Sequence, residues 1–175
     1  VPRGEIGELI CRGPYTIRGY YKAEDYNRKV IDSNGFYWSG DLVRLDDEGN
    51  MIVEGRRKDV INRGGEKISA EEVEDLLIDH PKINRVAIIP MSDPELGEKT
   101  CAYVIPEGGA ELTLTDLIEH LAKKKVAKFK YPERLEIVDS FPHTNVDKVS
   151  KKALREDIEN KLAKEKQDPE RRDRE

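Results

Sequence analysis

The sequence has no long apolar run. No stretch approaches the ~18 apolar residues that a membrane span needs. The opening residues, Val1-Pro2-Arg3-Gly4-Glu5, carry no apolar signal core and do not begin with Met. A cytoplasmic chain is expected, neither secreted nor embedded in a membrane. Cysteine is scarce: Cys11 and Cys101 stand far apart, form no metal or redox motif and suit a reducing compartment. Histidine is scarce too. His80, His120 and His143 lack ligand spacing, so no metal site is expected from them. Excess positive charge is also missing. A net charge of −5 argues against a dedicated nucleic-acid binder. No internal repeat is present.

What is there is charge of both signs. The 175 residues are 37% hydrophobic, enough for a core, and 38% charged, above the usual quarter or so. That length holds one ordinary domain, or one domain and part of another. Residues 1–58 hold 10 basic and 10 acidic side chains, and the remainder holds 21 and 26, so neither part is a polyelectrolyte. After Ala163 no apolar residue follows. Nothing there offsets the entropy of ordering, so residues 164–175 are expected to be disordered or a frayed helix extension.

The first part reads as short strands and glycine turns. Glu8–Cys11 is strand-like, and the runs 42–45 and 51–54 flank Asp46-Asp47-Glu48-Gly49-Asn50, a hairpin signal. A short helix fits 23–31. Further on, Ser69-Ala70-Glu71-Glu72 is a capping box, followed by Val73, Leu76, Leu77 and His80 at helical spacing and by Pro81, which stops the helix. Runs 86–90, 101–106 and 135–138 read as strands. Thr113 and Ser150 open two further helices. The order α-β-β-α-β-α predicts an α+β fold: a small C-terminal sheet-and-helix domain preceded by a β-rich segment.

Five motifs follow in order: Gly4-Glu5-Ile6-Gly7-Glu8-Leu9; Gly35-Phe36-Tyr37-Trp38-Ser39-Gly40-Asp41; Gly55-Arg56-Arg57-Lys58-Asp59-Val60-Ile61; Gly64-Gly65-Glu66-Lys67-Ile68; and Lys148-Val149-Ser150-Lys151-Lys152-Ala153-Leu154. From Gly4 to Leu162 this series resembles the C-terminal third of the adenylate-forming enzymes: acyl-CoA synthetases, peptide-synthetase adenylation domains and luciferases. Arg12–Tyr21 and Ile61–Lys67 most resemble 2,3-dihydroxybenzoate–AMP ligases of siderophore synthesis. The resemblance implies that residues 1–57 are the β-rich end of a large N-terminal domain and 58–163 a mobile C-terminal domain. The family's phosphate loop and acyl pocket would lie upstream.

The implied activity is ATP-dependent: a carboxylic acid becomes an acyl adenylate, and its acyl group passes to an aryl carrier protein or coenzyme A. Lys148 matches the catalytic lysine. A flexible ammonium can bridge two approaching anions, a carboxylate and an α-phosphate. The family pattern Pro-x-Thr-x-x-Gly-Lys has glycine before the lysine; here it is Asp147, which lacks glycine's backbone freedom and carries a charge. Asp41 matches the aspartate that binds the ATP ribose diol, and Arg56 a second ribose- and phosphate-facing residue. The residues before Asp41 are Tyr37-Trp38-Ser39-Gly40 where Tyr-Arg-Thr-Gly is common, so a cation is lost. Lys58 matches the hinge about which the C-terminal domain turns between half-reactions. Gly64 and Gly65 match a loop lining a phosphopantetheine tunnel; read alone, they are a loop between strand and helix. Mg²⁺ is implied with ATP, its protein ligand lying upstream. Two other readings stay open: a coenzyme A ligase for a fatty or other aryl acid, and a non-catalytic module binding a carrier or partner chain. The lysines 123–125, 128 and 130 read as a solvated helix end, or as a basic face for an acidic carrier.

Overall fold

The computed structural model describes residues 1–144 and 147–167. The chain divides into two compact units, Val1–Lys58 and Asp59–Glu175.

The first unit contains β1 (Gly7–Cys11), α1 (Glu24–Val30), β2 (Tyr37–Leu45) and β3 (Met51–Arg56). The three strands form an antiparallel sheet in the order β1-β2-β3. The β2–β3 turn holds itself closed. The Asp46 carboxylate accepts the Glu48 and Asn50 N–H groups at 3.0 and 2.8 Å, and Gly49 turns at φ +87°. In α1, acidic Glu24 and Asp25 open the helix and basic Arg28 and Lys29 close it, matching its dipole. Among the described residues of this unit only Gly55 is buried, while Tyr15, Tyr21 and Val53 are largely exposed. The unit therefore has a sheet but no hydrophobic core of its own.

The second unit contains β4 (Val60–Arg63), β5 (Glu66–Ser69), α2 (Ala70–Leu77), β6 (Ile83–Asp93), β7 (Gly97–Pro106), α3 (Leu114–Lys123), β8 (Arg134–Ile137) and α4 (Lys151–Gln167). Its sheet runs β5-β4-β7-β6, antiparallel, with β8 parallel to β7. Both faces are covered, and the two-residue period of a strand assigns the side chains. Ile88, Ala102 and Val104 pack with Val73, Leu77, Leu117 and Leu121 of α2 and α3. Ala87, Ile89, Cys101 and Tyr103, one position out of phase, pack with Leu154 and Ile158 of α4. The sequence has the sheet with helices packed on it; the structure adds that the helices take opposite faces.

The helix starts follow the capping residues. Ser69 Oγ accepts the Glu72 N–H at 3.3 Å, and the Glu72 carboxylate pairs with Lys130 at 2.6 Å. Thr113 and Asp116 form a full reciprocal box at α3. Ser150 Oγ accepts the Ala153 N–H at the start of α4. Residues 164–167 continue α4, and the remainder of the tail, 168–175, lies outside the described residues.

One element differs from expectation. Gly64 and Gly65 do not join a strand to a helix. They form the two-residue turn of the β4–β5 hairpin, at φ +56° and +101°, with Arg63 paired to Glu66 across it. Both central residues of such a turn need positive φ, which glycine takes without a Cβ penalty. The charged Arg63, Glu66 and Lys67 obscure the two inward residues, Ile61 and Ile68, which face each other in register and are fully buried.

Candidate functional site

Asp41 and Arg56 are fifteen positions apart in sequence and cross-strand partners in the β2–β3 ladder. Arg56 Nε donates to Asp41 Oδ1 at 2.8 Å. Asp41 Oδ2 accepts from no described residue, so one carboxylate oxygen stays available to an outside donor. The backbone before Asp41 is tied down. Ser39 Oγ donates to the Leu9 carbonyl at 2.9 Å and accepts the Asp41 N–H at 3.0 Å, and the Gly40 N–H donates to Glu8 Oε1 at 3.1 Å. Ser39 thus does with a hydroxyl what threonine could do. Trp38, the departure that removes a cation, is turned to Asp32. Its indole N–H donates to Asp32 Oδ2 at 3.2 Å. Tyr37 shares a hydrogen bond of 3.0 Å with Tyr20, which, with partial burial, pushes its hydroxyl up to about 12.

Lys58 sits in a 3-10 turn, Arg57–Asp59, at the last position of the first unit. Immediately beyond it the Asp59 carboxylate accepts from Arg155 of α4 at 2.9 Å. Gly64 is pressed against its surroundings: its N–H donates to the Leu96 carbonyl at 2.8 Å, and a Cβ there would lie 3.0 Å from Leu96 Cδ2.

Lys148 lies in the second unit, in a loop that folds back on itself before α4. Thr144 N–H donates to the Lys148 carbonyl at 2.7 Å, and Lys148 N–H donates to Thr144 Oγ1 at 3.2 Å. Ser150 N–H donates to the Pro142 carbonyl at 2.7 Å. The Lys148 side chain is exposed and its ammonium makes no ion pair with the described residues. Asp147 stands at φ +57°, the left-handed conformation that glycine would take. Its carboxylate is turned to His143 Nδ1 at 2.5 Å and not to the neighbouring ammonium.

Three features were not anticipated from the sequence. The Asp59–Arg155 pair is one. The second is Glu74 on α2, whose carboxylate accepts from Lys151 of α4 at 2.7 Å and from the Ile88 N–H at 2.6 Å. Burial raises the Glu74 carboxyl above its ordinary value, against the pull of Lys151. The third is the His143–Asp147 pair, although its spacing of four could have been noticed. The basic run is partly spent: Lys124 pairs with Asp79 at 2.5 Å and Lys130 with Glu72. His120 shares Asp79, and its ring meets His80 edge-on at 4.9 Å. Among the described residues no group of three acidic, histidine or cysteine side chains is arranged to hold a metal ion. A hollow of about 640 Å³ beside Ile105, Leu112, Ile137 and Val138 contains none of the expected site residues.

Residues 72–148, from α2 through Lys148, match the AMP-binding enzyme C-terminal domain. That match takes in 77 of the 175 residues. The chain's similarity extends beyond that domain into the first unit. It is 52% identical over 162 residues to the 2,3-dihydroxybenzoate-AMP ligase of Bacillus subtilis (strain 168), covering 93% of this chain and 30% of that protein. It is 50% identical over 161 residues to a salicylyl-CoA synthase / salicylate adenylyltransferase of a Streptomyces species, covering 92% and 29%. Among solved structures, ATP-bound MatB from Rhodopseudomonas palustris superposes with a TM-score of 0.79 at 30% identity, over 90% of this chain and 31% of that one. The chain thus spans about a third of the length of these relatives. The mixed α and β architecture agrees with that solved structure. No helix among the described residues is long and apolar enough to cross a membrane.

Proposed function

We propose that the chain is the C-terminal part of an ATP-dependent aryl-acid adenylating ligase resembling 2,3-dihydroxybenzoate–AMP ligase. The observation that carries this reading is the Asp41–Arg56 pair, an anion and a cation brought into register across two strands and left open to solvent. In the first half-reaction a carboxylate oxygen of the acid attacks the α-phosphorus of ATP. The bond to the bridging oxygen breaks, and pyrophosphate leaves with that electron pair. Asp41 Oδ2 accepts from a ribose hydroxyl, and the Arg56 guanidinium steadies the carboxylate and faces phosphate. Lys148 brings its exposed ammonium to the carboxylate and α-phosphate oxygens, where negative charge accumulates.

Mg²⁺, when bound, screens the phosphate oxygens. The resemblance puts its protein ligand in the upstream part, and no step here runs through it. In the second half-reaction a phosphopantetheine thiolate attacks the acyl carbon and AMP departs. Lys58 is the hinge between the two states. Gly64 and Gly65 form a low wall beside which a thin arm can pass, since neither carries a side chain. Residues 1–57 then belong to the large domain and 58–163 to the mobile one. An unaided first unit with so little buried surface is consistent with that division.

The acceptor admits a second reading, because one relative's name joins adenylate transfer to coenzyme A. Product analysis with carrier protein and coenzyme A offered together separates the two. The reading as a whole is tested by rebuilding the enzyme with the upstream part of the Bacillus subtilis ligase and measuring acid-dependent pyrophosphate exchange. Lys148→Ala is expected to lower the rate by about 10²–10³. Retention of the parent rate would remove Lys148 from the chemistry. The 175-residue chain alone is expected to show no exchange; turnover by it would favour a self-sufficient site. A rebuilt enzyme that binds carrier protein yet never exchanges pyrophosphate would favour the non-catalytic module.

A further inference from the structure

The residue before Lys148 breaks the family's glycine pattern, and the structure shows what the substitution demands. An L-residue at φ +57° is strained, although aspartate tolerates this region better than most. Something must hold it there, because the two closing hydrogen bonds between Thr144 and Lys148 span Asp147. The Asp147 N–H also donates to the Thr144 carbonyl at 3.0 Å. Were residue 147 to relax to negative φ, all three bonds would be lost and Lys148 would swing with its backbone.

We infer that His143 is a positioning residue for Lys148: through its hydrogen bond to Asp147 it holds the lysine loop closed, doing with a side chain what glycine does with freedom. The inference rests on the reading of Lys148 given above. His143 Nδ1 lies 2.5 Å from Asp147 Oδ1, and residues 143 and 149 are bridged across the loop. The imidazole therefore sits on one side of the bridge and reaches Asp147, the residue just before Lys148. The Asp147 carboxyl is correspondingly held below its ordinary value, first by this bond and then by the field of His143. Arg85 is the other charged group that acts on it in the same direction.

The test is a cycle of four chains: the unchanged protein, His143→Ala, Asp147→Gly and the double variant. Amide hydrogen exchange at Thr144 and Lys148, measured by NMR on the 175-residue chain, reads loop closure directly. His143→Ala is expected to raise both rates about two- to fivefold, the range for an exposed ion pair. Asp147→Gly is expected to stay near the parent, because glycine enters the left-handed region unaided. The double variant should match Asp147→Gly. A merely structural histidine would accelerate exchange equally in both backgrounds, and that result, or no acceleration at all, overturns the inference. In the rebuilt enzyme the same pattern is expected in kcat for pyrophosphate exchange, with KM for ATP unchanged. If Lys148→Ala leaves exchange intact while the amide cycle holds, the reading of Lys148 fails and the loop device stands.

Discussion

Removing the Lys151 ammonium while keeping its length, by Lys151→Met, should destabilise the second unit in a pH-dependent way. Lys151 is the partner of Glu74, and both side chains keep only about a fifth of their exposure, 23% and 19%. Breaking a fully buried pair by removing one partner costs about 3–5 kcal/mol. With this residual solvent contact we expect about 2 kcal/mol. Lys151 also opens α4, where a cation opposes the helix dipole, and removing it returns about 0.5 kcal/mol without reversing the sign. For a unit of this size the loss corresponds to roughly 8 °C in melting temperature.

The pH dependence follows from the direction of the Glu74 shift. Its carboxyl is raised in the folded state, first by burial, so the stability tied to it is present below the unfolded value and lost as pH rises through the folded one. Without Lys151 the folded value rises further. The deficit of Lys151→Met should therefore be largest at pH 7 and smaller at pH 5, where the acid takes up its proton. Thermal unfolding followed by circular dichroism at both pH values measures this. Adding Glu74→Gln should recover most of the loss, because the amide oxygen still accepts the Ile88 N–H and carries no charge. Equal deficits at pH 5 and 7, with no recovery in the double variant, would refute the reasoning.

Three further outcomes are expected. Ile158→Ala, at a fully buried position of α4 against the sheet, should cost about 3 kcal/mol by chemical denaturation. Gly64→Val should cost about 1–2 kcal/mol, because a branched side chain at φ +56° is strained and its Cβ would crowd Leu96; a melting point equal to the parent's would contradict that. Of the two thiols, exposed Cys11 should react promptly with a disulfide reagent. Cys101, fully buried and pushed up to about 12 by burial, should react only when the second unit opens; two fast thiols would refute the packing of β7 against α4.

Much of the fold could be read from local chemistry. Thr113, Ser69 and Ser150 mark three helix starts because a hydroxyl one position before a helix satisfies free N–H groups wherever the helix then packs. The Asp46–Asn50 segment announces its turn because the Asp46 carboxylate closes it without outside help. The β4–β5 hairpin was harder to see: only Ile61 and Ile68 point inward, and charged neighbours mask the alternation, although Gly64-Gly65 is itself a hairpin signal. The candidate residues Asp41, Arg56, Lys58, Gly64, Gly65 and Lys148 came from ordered motifs, and composition alone would have passed over each of them.

The sequence by itself determined the helix caps, the turns, the two out-of-phase apolar sets on β6 and β7, and the ordered motifs that carry the family resemblance. These are written in spacing, and spacing is local. Only the tertiary structure decided that Arg56 meets Asp41, that Lys151 and Arg155 reach Glu74 and Asp59, and that His143 grips Asp147. Each of those pairs depends on strand register, on the direction of α4, or on a backbone angle. A linear pattern of residue types does not encode such distances; packing sets them once both faces of the sheet are covered.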